Sequence, residues 1–211
     1  MGENEITIIY GGTTTPTSKT KLKQVEQQVN NTEPSDKRLK WSEVLIQFDI
    51  RDHTLNLYDG PLLPLIINPY IGNYMVGRTL IDSGSDLNLL FANMYNNLGL
   101  PRKCLLPVRE PFYGIMPGIS AYPHRRINLQ VTLREGENTR SEFLMFEVVD
   151  FDSAYNCILG QPFLKKFMAV AHFAYSVLKV PGPRGLMTIH GDRKGAVSCD
   201  MKTLDMIRQY A

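Results

Sequence analysis

Asp82 stands where a run of apolar residues stops. Val76, Leu80 and Ile81 lead into it, Ser83-Gly84 follows it, and apolar residues resume at Leu87, Leu89, Leu90 and Phe91. The β-branched lead-in reads as a buried strand and Asp-Ser-Gly as the turn that ends it. A carboxylate delivered by a buried strand is costly to leave unpaired. Two readings account for it. It can hydrogen-bond the N–H groups of its own turn, as an Asx-turn does, or it can be held at the strand end for acid–base chemistry. Within the motif Ser83 offers a hydroxyl, and Gly84 permits close backbone approach and unusual dihedrals.

The other chemistry-bearing residues form no comparable constellation. Asp152-Ser153-Ala154 lacks the glycine and sits in a polar stretch. His53, His124, His172 and His190 show no metal-ligand spacing, and Cys104, Cys157 and Cys199 stand far apart with no Cys-x-x-Cys. Neither a disulfide framework nor a zinc site is suggested, and an intracellular, reducing setting is expected. The glycines from Gly182 to Gly195 lack the Gly-Lys-Ser/Thr of a phosphate loop, which argues against nucleotide binding. A net charge of +2 over 211 residues gives no sign of a nucleic-acid partner. The N-terminus has no signal-peptide pattern, and the apolar run from Leu62 to Ile67 is broken by Pro64 and stopped by Asn68-Pro69, so no membrane span is expected.

The elements that position Asp82 are short. Residues 1–40 are polar and rich in Thr, Lys, Gln and Asn, apart from a β-like run at Ile6 to Tyr10, and read as a disordered linker. Val44 to Ile50 reads as a strand. Leu62 to Ile67 and Tyr74 to Ile81 flank a turn as a hairpin. Phe91 to Leu98 reads as a short helix stopped by Gly99. Phe112-Tyr113-Gly114-Ile115-Met116 lies in a stretch punctuated by Gly and Pro. Ile127 to Leu133 alternates as a half-exposed strand, and Ser141 to Val149 returns beside it. Cys157 to Gly160 is a small buried run, and Pro162 opens a short helix. Ala174 to Val180 and Leu186 to Ile189 form a last hairpin, and residues 201–211 a tail. Many short strands with turns every ten residues or so predict an all-β, barrel-like domain over residues 41–200.

Three blocks carry a family likeness. Thr79-Leu80-Ile81-Asp82-Ser83-Gly84-Ser85 matches an apolar-Asp-[Thr/Ser]-Gly turn. Phe112 to Gly118 falls where a substrate-covering flap is placed, and Ile158-Leu159-Gly160 matches an apolar-apolar-Gly motif. The chain resembles the aspartic protease domain of long-terminal-repeat retrotransposons, especially the Gag–Pol polyproteins of plant gypsy-type elements, and more remotely the retroviral proteases. The resemblance implies a retropepsin-like closed β-barrel with one or two short helices. It also implies a homodimer to which each subunit brings Asp82. Ser83 and Gly84 would support the turn, Tyr113 and Gly114 would sit in the flap, and Ile158, Leu159 and Gly160 would pack beneath the site. Two carboxylates sharing one proton would activate a water, with no cofactor or metal, on a polyprotein or peptide substrate. The expected location is cytoplasmic or within a virus-like particle. The competing reading is a retropepsin-fold dimerisation or peptide-binding module without catalysis.

Overall fold

The computed structural model describes residues 40–52, 63–107, 112–116, 119–121 and 125–210, together with positions 20 and 23. Most of the expected linker, the run at Ile6 to Tyr10, His53 and His124 lie outside the described residues.

The first strands are brief: β1 (Ile66–Ile67), β2 (Tyr70–Ile71), β3 (Tyr74–Met75), β4 (Thr79–Ile81) and β5 (Leu89–Phe91). Helix α1 (Ala92–Asn97) follows β5 directly, and Gly99 ends it at φ 63°, a left-handed conformation that glycine adopts without steric cost. The expected hairpin before Asp82 is present as the antiparallel pair β1–β4, with the small hairpin β2–β3 inserted between its arms.

After β6 (Leu106–Pro107) come β7 (Phe112–Met116) and β8 (Ile119–Ala121), which pair antiparallel with an irregular register and belong to a unit distinct from that of residues 40–109 and 123–211. The longest strands are β9 (Arg125–Glu135) and β10 (Asn138–Val149). Ile127, Leu129, Val131 and Leu133 face inward from β9 and Leu144, Phe146 and Val148 from β10, so period-two alternation becomes one buried face. Their two-residue loop begins with Gly136 at φ 56°, as a type II′ turn requires. β11 (Cys157–Leu159) leads into helix α2 (Gln161–Phe167), which has Pro162 in its first turn and Met168 in the left-handed region at its C-cap.

Among the described residues one sheet has the strand order β1-β4-β11-β5-β10-β9-β2-β3, with β6 added on β9. It forms a curled half-barrel. The all-β architecture with few helices expected from the sequence is present. The core lies within the curl, where Phe146, Phe163 and Phe167 are fully buried and the rings of Phe163 and Phe167 lie 4.8 Å apart. β12 (Val170–His172), β13 (Val177–Gly182) and β14 (Gly185–His190) make a separate antiparallel sheet, which contains the expected last hairpin.

Two expectations change. Val44 to Ile50 is not a strand but an irregular strap. Its alternating pattern reflects partial burial, and among the described residues no strand edge pairs with it. Side chains hold it instead. The Arg140 guanidinium lies 4.6 Å from the Trp41 ring centre, and Asp52 pairs with Lys179 at 2.7 Å, both side chains under 10% exposed. The stretch expected to be a tail belongs to helix α3 (Arg193–Tyr210). Asp192 caps it, its Oδ1 accepting the Gly195 N–H at 2.8 Å, and Ala196 and Cys199 are buried on one face. Among the described residues no helix is long and apolar enough to cross a membrane.

Candidate active site

The strand that delivers Asp82 is gripped on both sides. β4 runs parallel to β11, with Ile81 opposite Leu159, and antiparallel to β1. The Ile81 N–H donates to the Leu65 carbonyl at 2.9 Å, and the Asp82 N–H donates to the Leu159 carbonyl at 3.0 Å. The entry to β4 is held as well. Arg78, at φ 51°, receives the Asn156 N–H on its carbonyl, and its Nη2 donates to Asn156 Oδ1 at 3.0 Å. The backbone at Asp82 therefore has little freedom to shift.

Beyond it the chain turns sharply. The Gly84 N–H donates to Asp82 Oδ1 at 2.9 Å, and the Ser85 N–H donates to the Asp82 carbonyl at 3.2 Å. The Asx-turn anticipated from the motif is thus present. Gly84 does not use a left-handed conformation. What its lack of a side chain provides is space, since a Cβ there would lie 3.3 Å from Asp82 Oδ1. Asp82 is half-buried, while Ser83 and Gly84 are exposed. Among the described residues Asp82 has no ion-pair partner, and its other carboxylate oxygen accepts no hydrogen bond.

The turn is braced by a segment some 75 residues further along the sequence. A Cβ on Gly160 would fall within 3.0 Å of the carbonyl oxygens of both Ser85 and Leu87, so only glycine fits. The Gln161 N–H donates to the Ser85 carbonyl at 2.8 Å, and Gln161 Nε2 donates to the Ser83 carbonyl at 3.2 Å. Buried Asn88 completes the crossing. Its Oδ1 accepts the Gly160 N–H at 3.0 Å, and its Nδ2 donates to the Met145 carbonyl at 3.0 Å.

The structure brings Asp82, Ser83, Gly84, Leu159 and Gly160 together, with Ile158 on the strand beside β4. Tyr113 and Gly114 lie on β7, in the separate hairpin unit. Asn88 and Gln161 were missed by sequence reasoning. The only signal for Asn88 is one amide inside the apolar run Leu87-Asn88-Leu89-Leu90.

No protein-family model matches this chain, and no curated protein matches it significantly. Solved structures do resemble it. One is the retroviral protease-like domain of Ddi1 from Leishmania major, at 17% identity over 64% of this chain and 98% of that one, with a TM-score of 0.45. Another is a retropepsin-like aspartic protease from Rickettsia conorii, at 18% identity over 59% and 80%, with a TM-score of 0.38. A third is EIAV protease in complex with the inhibitor HBY-793, at 21% identity over 56% and 98%, with a TM-score of 0.30. All three are described as proteases or protease-like.

Around the turn, Tyr155 is half-buried, and its phenol is raised above the usual range, by burial first and with the Asp82 carboxylate among the smaller contributions. The Asp152-Ser153-Ala154 stretch serves structure, since Ser153 Oγ accepts the Tyr155 N–H and the Ser153 carbonyl accepts Lys202 Nζ. His172 stacks on Tyr175 at 3.8 Å and accepts its N–H. Burial pushes the thiol of Cys157 well up, which disfavours the thiolate a nucleophile needs. Among the described residues no group of three or more His, Cys, Asp or Glu is placed to hold a metal.

Proposed function

We propose that this chain is one half of an aspartic endopeptidase of the retropepsin type, of retrotransposon origin, and that two copies combine to cut a Gag–Pol-type polyprotein. The observation that carries the reading is Asp82 itself. It is a carboxylate with backbone bonds on both flanking strands and a braced turn behind it, and it has no cation beside it among the described residues. Rigid placement without neutralisation suits a group that must meet a reacting water in a fixed geometry.

In this reading the Asp82 carboxylates of two copies face one another across a two-fold axis and share one proton, because two like charges about 3 Å apart cannot both ionise. The ionised member takes a proton from the water between them. The oxygen of that water attacks the scissile carbonyl carbon, while the protonated member donates a hydrogen bond to the carbonyl oxygen. The tetrahedral species collapses as a proton passes to the leaving nitrogen, with no covalent enzyme intermediate. Ser83 and Gly84 support the turn, Ile158, Leu159 and Gly160 pack behind it, and Tyr113 and Gly114 belong to a hairpin that closes over bound peptide and excludes water.

A second reading is a retropepsin-fold module that binds peptide or a second copy without cutting. The Gly84 N–H donated to Asp82 Oδ1 favours it, because that bond alone gives the carboxylate a structural use. Cleavage of a Gag-derived substrate by the wild-type protein and by Asp82→Asn separates the two. Loss of cleavage in the variant supports the peptidase, and equal cleavage by both proteins removes Asp82 from the chemistry.

A further inference from the structure

Helix α3 has one face committed to its own domain and one face that is not. On the first, Ala196 and Cys199 are buried, Cys199 Sγ donates to the Ala154 carbonyl, and Lys202 Nζ reaches the Ser153 carbonyl at 2.9 Å. On the second, Val197, Met201, Leu204 and Ile207 are 46%, 62%, 55% and 59% exposed. At 3.6 residues per turn these four, with Asp200 and Arg208, fall within one arc of about 120°. Scattered exposed apolar side chains need no explanation, but a continuous strip along a helix does.

The charges on this strip say what covers it. Asp200 lies four residues before Leu204, and Arg208 four residues after it. A two-fold contact must be self-complementary, since whatever one copy presents at i the other meets at j, and the reverse. Antiparallel helices crossing at Leu204 place Leu204 against its twin and Met201 against Ile207. They also place Asp200 opposite Arg208 on both sides of the axis. Within the strip no like charges then oppose, since Lys202 is turned to its own domain. An axis between Asp200 and Met201 would instead set Arg193 against Arg208. Among the described residues Arg208 pairs with Asp205 alone, at 3.6 Å with both largely exposed, and such a surface pair is readily exchanged.

We propose that α3 is the surface through which two copies of this chain pair, antiparallel and centred on Leu204. The helix starts beside the candidate site. The Asp192 N–H donates to the Ile66 carbonyl at 2.6 Å and Asn68 Nδ2 to Asp192 Oδ2, so α3 begins on β1, the edge strand paired with the β4 that carries Asp82. The proposal names the route by which the second copy of the composite site arrives, and it rests on that reading only for the meeting of the two carboxylates. The strip is small beside the ~800 Å² per partner of a standard interface. The pairing is accordingly of the weak, concentration-dependent class.

Sedimentation of the full 211-residue chain across a concentration series tests it. The expected result is a reversible monomer–dimer equilibrium. Leu204→Asp raises the dissociation constant about a hundredfold, because both leucine side chains of the contact at the axis are lost. Asp200→Arg raises it about tenfold by replacing two attractions with repulsions, and adding Arg208→Asp restores it to within about threefold of wild type. Circular dichroism confirms that each variant is folded. A strict monomer, a dimer indifferent to Leu204→Asp, or a double reversal no better than the single one overturns the proposal. Asp82→Asn keeps the two ideas apart. If it still cuts while the α3 dimer stands, only the peptidase reading fails; if it stops cutting while Leu204→Asp leaves the dimer intact, only the α3 proposal fails.

Discussion

Asn88 and Gly160 are 72 residues apart in sequence and joined by a single hydrogen bond, the Gly160 N–H donating to Asn88 Oδ1 at 3.0 Å. The same amide group spends its Nδ2 on the Met145 carbonyl. One buried side chain thereby ties the segment leaving the Asp82 turn to β10 and to the segment that braces the turn. Asn88→Ala leaves a donor and an acceptor buried without partners, which costs about 2–4 kcal/mol. Urea titration of both proteins measures it, and a loss under 1 kcal/mol would mean the crossing is held elsewhere.

Gly160→Ala should be comparably severe. Its methyl group meets two backbone carbonyls rather than a flexible side chain, so relief requires moving the Asp82 turn or β11. Overpacking of a tight site costs about 1–3 kcal/mol, and this site lies at the upper end or beyond. The thermal midpoint reports the loss, and an unchanged midpoint would show that the two segments separate easily.

Asp82→Asn should scarcely alter folding. The side-chain oxygen that accepts the Gly84 N–H is retained in the amide, so stability changes by no more than about 0.5 kcal/mol. Calorimetry on the variant checks this. An inactive variant that is also badly destabilised would not count as support for a catalytic Asp82.

Acid should loosen the strap. Burial alone would raise the Asp52 carboxyl, but the hydrogen bond from Lys179 and the Asp49 N–H outweigh it and hold the group below the ordinary carboxylate range. A depressed folded-state value means a contribution present above the unfolded pKa of about 3.9 and lost as pH falls through the folded value. Glu147 has the opposite sign. Burial raises it despite the Arg126 hydrogen bond, so its contribution is largest below its unfolded value and is lost as pH rises through the folded one. Asp52→Asn, which leaves Lys179 buried without a carboxylate, should cost about 3–5 kcal/mol at neutral pH and flatten the acid limb below pH ~4. Denaturant midpoints from pH 2 to 7 give both numbers, and an acid limb as steep as wild type would place the titration elsewhere.

The local pattern around Asp82 was legible from the chain alone because it rests on short-range physics. A β-branched strand, a small hydroxyl and a glycine specify strand and turn within seven residues, and the structure has both. The alternation in β9 and β10 and the proline opening α2 were readable for the same reason. Periodicity, however, records which face of a segment is buried and not what it is buried against. The Val44 to Ile50 pattern therefore suggested a strand where the fold supplies an irregular strap held by Trp41 and Asp52. Residues 201–210, read as a tail, are helical because Asp192 caps the segment and Ala196 and Cys199 find a buried seat. Gln161 carried no local signal and Asn88 only a lone amide in an apolar run, since each matters through a partner brought close only by the crossing of β4, β11 and β5. The sequence by itself determined that a carboxylate would stand at the end of a buried strand. Tertiary structure decided how firmly it is held, because the groups that brace it lie far away along the chain and meet it only on folding.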